Sequence, residues 1–153
     1  LYVPLADTDV QTDGAQVSLD VLRNVKVLLV EDNEINIYVA QILLEKAGCE
    51  VVIAKNGKEA VDQFAASVIG DIKAILMDVR MPIMDGLEAT GHIRAMERAD
   101  AATVPIIAMT AEAFDEERKK TINAGMNYHL SKPINPDLLY QVLVEQLQAG
   151  AQE

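Results

Sequence analysis

The chain is short of several things, and each shortage excludes a class of protein. A single cysteine, Cys49, stands among 153 residues, which rules out an internal disulfide framework and suits a reducing compartment. Basic residues are scarce: 13 Lys and Arg face 24 Asp and Glu, for a net charge of −11. That balance is wrong for unaided nucleic-acid binding, which neutralises phosphates with cations, and it offers anionic membranes nothing to attract. No apolar run approaches the about 20 residues of a spanning helix. No signal peptide is visible ahead of Leu1, so the expectation is a piece of a longer cytoplasmic protein. What is present is ordinary globular material, with 50% apolar and 24% charged residues, enough for one domain without a metal or disulfide staple.

Residues 1–24 carry Asp7, Asp9, Asp13 and Asp20 with Pro4, Gly14 and several Ser, Thr and Gln. The composition predicts a linker or frayed extension; the alternative is a docked segment using Leu19, Val21 and Leu22. From residue 25 to 148 the pattern alternates, leaving 149–153 as a tail. Short apolar runs at 25–30, 51–54, 72–77 and 105–108 suit strands buried on both faces. Stretches of helical period at 34–47, 57–68, 85–98, 111–123 and 135–148 separate them. The alternation requires a fifth strand at 127–130, although that stretch is polar. Gly48 and Gly125 sit where helix ends favour positive φ. Five strands and five helices in alternation imply a parallel sheet with helices on both faces.

In such a sheet, function gathers beyond the carboxyl ends of the strands. Reading those ends in order gives Glu31 and Asp32, then Asp78, Thr110 and Lys132. Three crowded carboxylates repel one another unless a cation shares the site. A hard divalent ion, most naturally Mg²⁺, relieves the repulsion and keeps positions for waters and a phosphate. A Lys ammonium and a Thr hydroxyl are donors suited to phosphoryl oxygens, and Asp78 is placed to act as nucleophile. Asp85 is a candidate helix cap, and Lys132-Pro133 a candidate cis peptide.

These residues carry a family resemblance. Val27-Leu28-Leu29-Val30-Glu31-Asp32-Asn33, Met77-Asp78-Val79-Arg80-Met81-Pro82-Ile83-Met84-Asp85-Gly86, Met109-Thr110-Ala111 and Leu130-Ser131-Lys132-Pro133-Ile134 resemble the receiver domains of two-component response regulators. The likeness runs from about residue 25 to 147. It implies a flavodoxin-like (βα)5 fold with strand order 2-1-3-4-5. It further implies Asp78 as phosphoacceptor and Mg²⁺ held by Glu31, Asp32, Asp78 and the backbone carbonyl of Arg80. Lys132 would pair with Asp78 and then with its phosphate, and Thr110 would move toward the phosphoryl oxygen. Such a domain catalyses its own phosphorylation and dephosphorylation at aspartate.

One departure concerns the switch position three residues before the lysine, which usually holds Tyr or Phe and here holds His129. An imidazole there implies weaker or pH-sensitive coupling to Thr110. The first helical stretch places Asn36, Val39, Ala40, Leu43, Leu44 and Ala47 on a sheet-facing side. Ile35, Tyr38 and Ile42 form a second apolar stripe, expected to dock a helical protein that presents a phosphohistidine. Arg80 and Glu112 are expected to border the path of hydrolytic water and to pair across it. The run Asp115-Glu116-Glu117-Arg118-Lys119-Lys120 reads as a solvated helix face. The whole resembles most the C-terminal receiver of a hybrid sensor histidine kinase, its parent anchored in the inner membrane. Its partners would be the kinase histidine and a histidine-containing phosphotransfer domain, with the receiver itself monomeric. The alternatives are a free-standing single-domain regulator and a non-phosphorylated pseudo-receiver scaffold. A flavin carrier of the same fold is disfavoured, since Glu31 and Asp32 would repel the flavin phosphate.

Overall fold

A computed structural model of the chain describes residues 20–111 and 115–151. Five strands, β1 (Lys26–Val30), β2 (Glu50–Ala54), β3 (Ile72–Asp78), β4 (Ile106–Thr110) and β5 (Tyr128–Ser131), alternate with five helices. The helices are α1 (Glu34–Lys46), α2 (Gly57–Ala66), α3 (Gly86–Arg94), α4 (Asp115–Ala124) and α5 (Pro136–Ala151). The strands form one parallel sheet in the order β2-β1-β3-β4-β5, the flavodoxin-like topology that the family resemblance implies. Strand β4 and residues 27–30 of β1 are buried throughout, and β3 nearly so, whereas the edge strands β2 and β5 are partly exposed. Their continuous apolar runs follow from helices covering both faces. On one face Leu44 of α1 and Leu139 and Leu143 of α5 pack with Leu29 and Leu76. On the other, Phe64 of α2 and Ile93 of α3 pack with Leu28 and Ile75.

Short polar turns carry each of the first three strands into a helix on the site's side. Asn33, Asn56 and Asp85 are N-caps, their side chains accepting from the amides of Asn36, Glu59 and Glu88 at 2.8–3.0 Å. Each satisfies a backbone donor that the helix cannot, worth about 1 kcal/mol. Gly48 and Gly125 take φ of 96° and 109°, as helix-ending glycines do.

Three expectations need correcting. The third helix stops at Arg94 rather than running on to 98. Beyond it the side chains fold back as tertiary caps. The Arg98 fork holds Asp100 at 2.6 and 3.0 Å, donates to the Phe64 carbonyl and lies 4.4 Å over the Phe64 ring. Arg94 donates to the Gly125 and Ala101 carbonyls at 2.8–3.0 Å. The buried side of α1 is Ile37, Ala40 and Leu44, while Val39 is 45% exposed and Asn36 faces solvent. The apolar arc of the sequence is broader than the stripe that packs, which runs i, i+3, i+7. Leu22 is fully buried, and its carbonyl accepts from Val25. Packing therefore begins ahead of residue 25. Leu19 and most of the N-terminal extension lie outside the described residues.

A candidate phosphoryl site at the carboxyl edge of the sheet

The carboxyl ends of β1, β3, β4 and β5 bring the expected residues together. Asp78 ends β3 and Thr110 ends β4. Glu31 and Asp32 follow β1, and Lys132 follows β5. Glu31, Asp78 and Thr110 are buried, each under 5% exposed, while Asp32 opens to solvent. The Lys132 ammonium lies 2.9 Å from Glu31 Oε2 and 3.2 Å from Asp78 Oδ1. Its backbone amide donates to the Thr110 carbonyl at 2.8 Å, which pins the turn carrying it. The Lys132-Pro133 peptide is cis. A cleft of about 250 Å³ opens above these groups, lined also by Asn33, Asn36, Arg80 and Ala111.

The electrostatics of the site are those of too many negative charges for one cation. Burial, then the Glu31 carboxylate, pushes Asp78 up to about 7, against the pull of Lys132. Burial also works to raise Glu31, but the Lys132 and Asp78 hydrogen bonds and the Asn33 amide, 3.2 Å away, hold it below its ordinary value. Lys132 gains from both carboxylates more than burial takes, so its value rises. These opposite directions favour a proton on Asp78 over one on Glu31 when no cation is bound. Carboxylate oxygens of Glu31, Asp32 and Asp78 lie within 4.8 Å of one another, a donor set that fits a hard divalent cation. Such an ion would displace the proton and complete the neutralisation that Lys132 begins.

Local backbone geometry keeps Asp78 fixed. The Val79 amide donates to the Met109 carbonyl, and the Gly86 amide donates back to Val79. A side chain at Gly86 would collide with the Asp78 carbonyl, so the return of the loop requires glycine there. At the loop's crest, Ile83 takes φ 70° and is 79% exposed. The Met84 amide spans it to the Pro82 carbonyl at 2.7 Å, a γ-turn that a β-branched residue adopts only under strain.

The remaining expected residues are placed as follows. His129 pairs in register with Ala108 and is half-buried with both ring nitrogens shielded from water, while Tyr128 is more exposed on the other face. Ile35, Tyr38 and Ile42 are 73%, 66% and 44% exposed, so the second stripe on α1 is open. Glu112 lies outside the described residues; among the described residues, Glu117 has a carboxylate 3.9 Å from Arg80. Glu117 is buried, contrary to the expectation of a wholly solvated face. Only its i+4 relation to Thr121, also buried, could have marked it, and both residues are polar. Cys49 packs in the core, its thiol pushed up to about 11 by burial. His92 is exposed, 3.8 Å from Glu88.

Fold and site together define a doubly wound α/β protein of flavodoxin-like topology, with an acidic, cation-ready cleft at a lysine. Residues 27–144 match the response regulator receiver domain, and the chain belongs to that family. It is 39% identical over 145 residues to hybrid signal transduction histidine kinase I of Dictyostelium discoideum. It is 40% identical over 121 residues to sensor protein GacS of Pseudomonas syringae pv. syringae. Those matches take in 94% and 78% of this chain but only 8% and 13% of the kinases. Among solved structures, the receiver domain of sensor histidine kinase PA1611 from Pseudomonas aeruginosa superposes with a TM-score of 0.75 at 38% identity. That match covers 82% of this chain and 98% of the other, which carries a magnesium ion in its active-site cleft. The receiver domain of yeast Ssk1, crystallised with the histidine phosphotransfer protein Ypd1, gives 0.75 at 33% identity over 84% of this chain and 92% of the other.

Proposed function

We propose that this chain is a phosphoacceptor receiver of a hybrid sensor histidine kinase, taking a phosphoryl group from phosphohistidine onto Asp78. The observation that carries the reading is the position of Asp78: buried at the end of β3, 3.2 Å from the Lys132 ammonium, within a three-carboxylate cluster. Glu31, Asp32, Asp78 and the Arg80 backbone carbonyl would hold Mg²⁺. When bound, that ion supplies charge neutralisation for the carboxylates and for phosphoryl oxygens. Asp78 then attacks phosphorus; the new O–P bond forms as the P–N bond to imidazole breaks, and the electron pair returns to the ring nitrogen. Lys132 neutralises charge on the transferred group. Thr110 donates its hydroxyl to a phosphoryl oxygen, and His129 reports that movement to the β4–β5 surface. The group leaves to a histidine-containing phosphotransfer domain by the reverse step.

The α1 stripe of Ile35, Tyr38 and Ile42 is the docking surface for the helical protein that carries the histidine. It opens beside the acidic cleft, and among the described residues no core cluster uses it. The working form is a cytoplasmic monomer; among the described residues no helix is long and apolar enough to cross a membrane. The reading is tested with a radiolabelled histidine phosphotransfer donor. Label should move to the wild-type chain and fail to move to Asp78→Asn. The double change Tyr38→Asp/Ile42→Asp should slow transfer from that protein about tenfold and leave labelling by phosphoramidate intact. Label on Asp78→Asn at the wild-type level would end the assignment, and equal slowing with both donors would remove the docking role.

A further inference from the structure

Helix α4 is anchored in an unusual way. Its buried residues are Glu117 and Thr121, both polar, while Ile122 is 68% exposed. Thr121 is satisfied locally, its hydroxyl donating to the Arg118 carbonyl at 2.9 Å. Glu117 is not. Its side chain is 8% exposed, Oε2 has no hydrogen-bond partner, and Oε1 stands 3.9 Å from the nearer Arg80 guanidinium nitrogen. That separation is a charge contact too long for a hydrogen bond. Thr90 of α3 is also fully buried, and its hydroxyl likewise lacks a partner. The first turn of α4, held through a half-made ion pair and remote from the Arg94 bonds to Gly125, has little to fix it in one place.

Arg80 is the other half of that pair, and it has a second claim on it. It follows Asp78 by two residues, its side chain is 70% exposed, and it lines the same cleft as Asp78, Thr110 and Lys132. A phosphoryl group on Asp78 would bring three strong acceptor oxygens into that cleft, and a guanidinium binds such oxygens through a fork that suits them. Arg80 cannot serve both partners at full strength. Once it turns to the phosphoryl group, Glu117 is left as a buried charge without a counterion, an arrangement that is strongly unfavourable. The carboxylate is relieved by turning out to water, and it carries the first turn of α4 with it.

We propose that Arg80 and Glu117 form a latch that holds α4 at rest and releases it when Asp78 is phosphorylated, with Glu117 a positioning residue that acts through Arg80. The proposal rests on the reading of Asp78 as phosphoacceptor. It makes a prediction of opposite signs at the two ends of the latch. In Arg80→Met, Glu117 has lost its counterion at rest, so α4 is already released. In Glu117→Gln, no buried charge remains to be relieved, so α4 stays in place whether or not Asp78 is modified.

Amide hydrogen exchange over 115–124, measured on the full chain with and without phosphoramidate and Mg²⁺, tests this. In the wild type, exchange in α4 should quicken about fivefold on phosphorylation. Arg80→Met should exchange at the faster rate in both states, Glu117→Gln at the slower rate in both, and the double variant should follow Glu117→Gln. A purely structural role for either residue would loosen α4 in both single variants alike. That result overturns the latch, as does a full phosphorylation response in either variant. Intact mass on the same samples keeps the two readings apart. An unlabelled wild type overturns the phosphoacceptor reading, while the resting rates of the two variants still decide the latch.

Discussion

The two ends of the sheet treat arginine differently. At the amino edge, Arg94 and Arg98 at and beyond the end of α3 are saturated. Arg98 grips Asp100 with two hydrogen bonds, caps α2 at the Phe64 carbonyl, bonds Ser67 and stacks on the Phe64 ring. Asp100 in turn accepts from the Gly70 amide at 2.8 Å. At the carboxyl edge, Arg80 meets Glu117 at 3.9 Å, and Lys132 is divided between two carboxylates. One edge has settled its charges and welds three connections together. The other keeps charge unbalanced, which costs stability and leaves it responsive to a cation or a phosphoryl group. This is the division expected when a rigid scaffold presents a strained site.

Perturbing the settled edge should cost the most stability. Arg98→Ala breaks the Asp100 pair and the α2 cap together. It should lower unfolding stability in urea by about 2 kcal/mol while phosphoryl incorporation per folded molecule is unchanged; a loss of incorporation would show that the edges are not separable. Perturbing the unsettled edge should do the reverse. Without divalent ions at pH 8, Asp78→Asn should raise stability by roughly 1–2 kcal/mol, because an unfavourably buried charge is gone.

The sign follows from linkage. Asp78 moves from 3.8 when unperturbed up to about 7 in the fold. The proton it retains contributes stability that is fully present below about pH 4 and lost as pH rises through about 7. Glu31, held low, works oppositely, its contribution lost as pH falls. Wild type should therefore lose more stability than Asp78→Asn between pH 5 and 8, and parallel pH profiles would contradict the assignment of the proton.

Smaller effects sharpen the same contrast. A cation must displace the proton on Asp78, so the apparent Mg²⁺ affinity should fall about fivefold from pH 7 to pH 6. Calorimetric titration at the two pH values checks this, and a pH-independent affinity would place the ion elsewhere. Smallest is the strained crest of the loop. Ile83→Asn replaces a β-branched residue at φ 70° with one that tolerates that conformation. It should raise stability by about 0.5–1 kcal/mol in chemical denaturation, and a loss would mean that the Ile83 side chain supports the loop.

How much of this was legible in the sequence depended on whether a residue's role was local. The inner strands announced themselves because both faces are covered, and the strand ends then delivered Glu31, Asp32, Asp78, Thr110 and Lys132 to one edge. Asp85 was readable because capping is chemistry of a few adjacent residues. Roles made by tertiary partners were not. Arg94 and Arg98 look like the tail of a helix until the α2 and α4 carbonyls that they cap are beside them. Leu22 was readable only as one of three residues of a docked alternative, and packing chooses it over the exposed Val21. The α1 face was misphased because Val39 and Ile37 are equally apolar, and only packing chooses between them. Glu117 was hidden most deeply, since a carboxylate in a charged run gives no sign of burial.

On the proposed reading, the unbalanced edge receives a phosphoryl group on Asp78. Intact mass after incubation with phosphoramidate, with and without Mg²⁺, beside Asp78→Asn, tests it most directly. The account predicts one added phosphoryl group, appearing only when both Mg²⁺ and Asp78 are present. No addition to the wild type, or addition that survives Asp78→Asn, would contradict it.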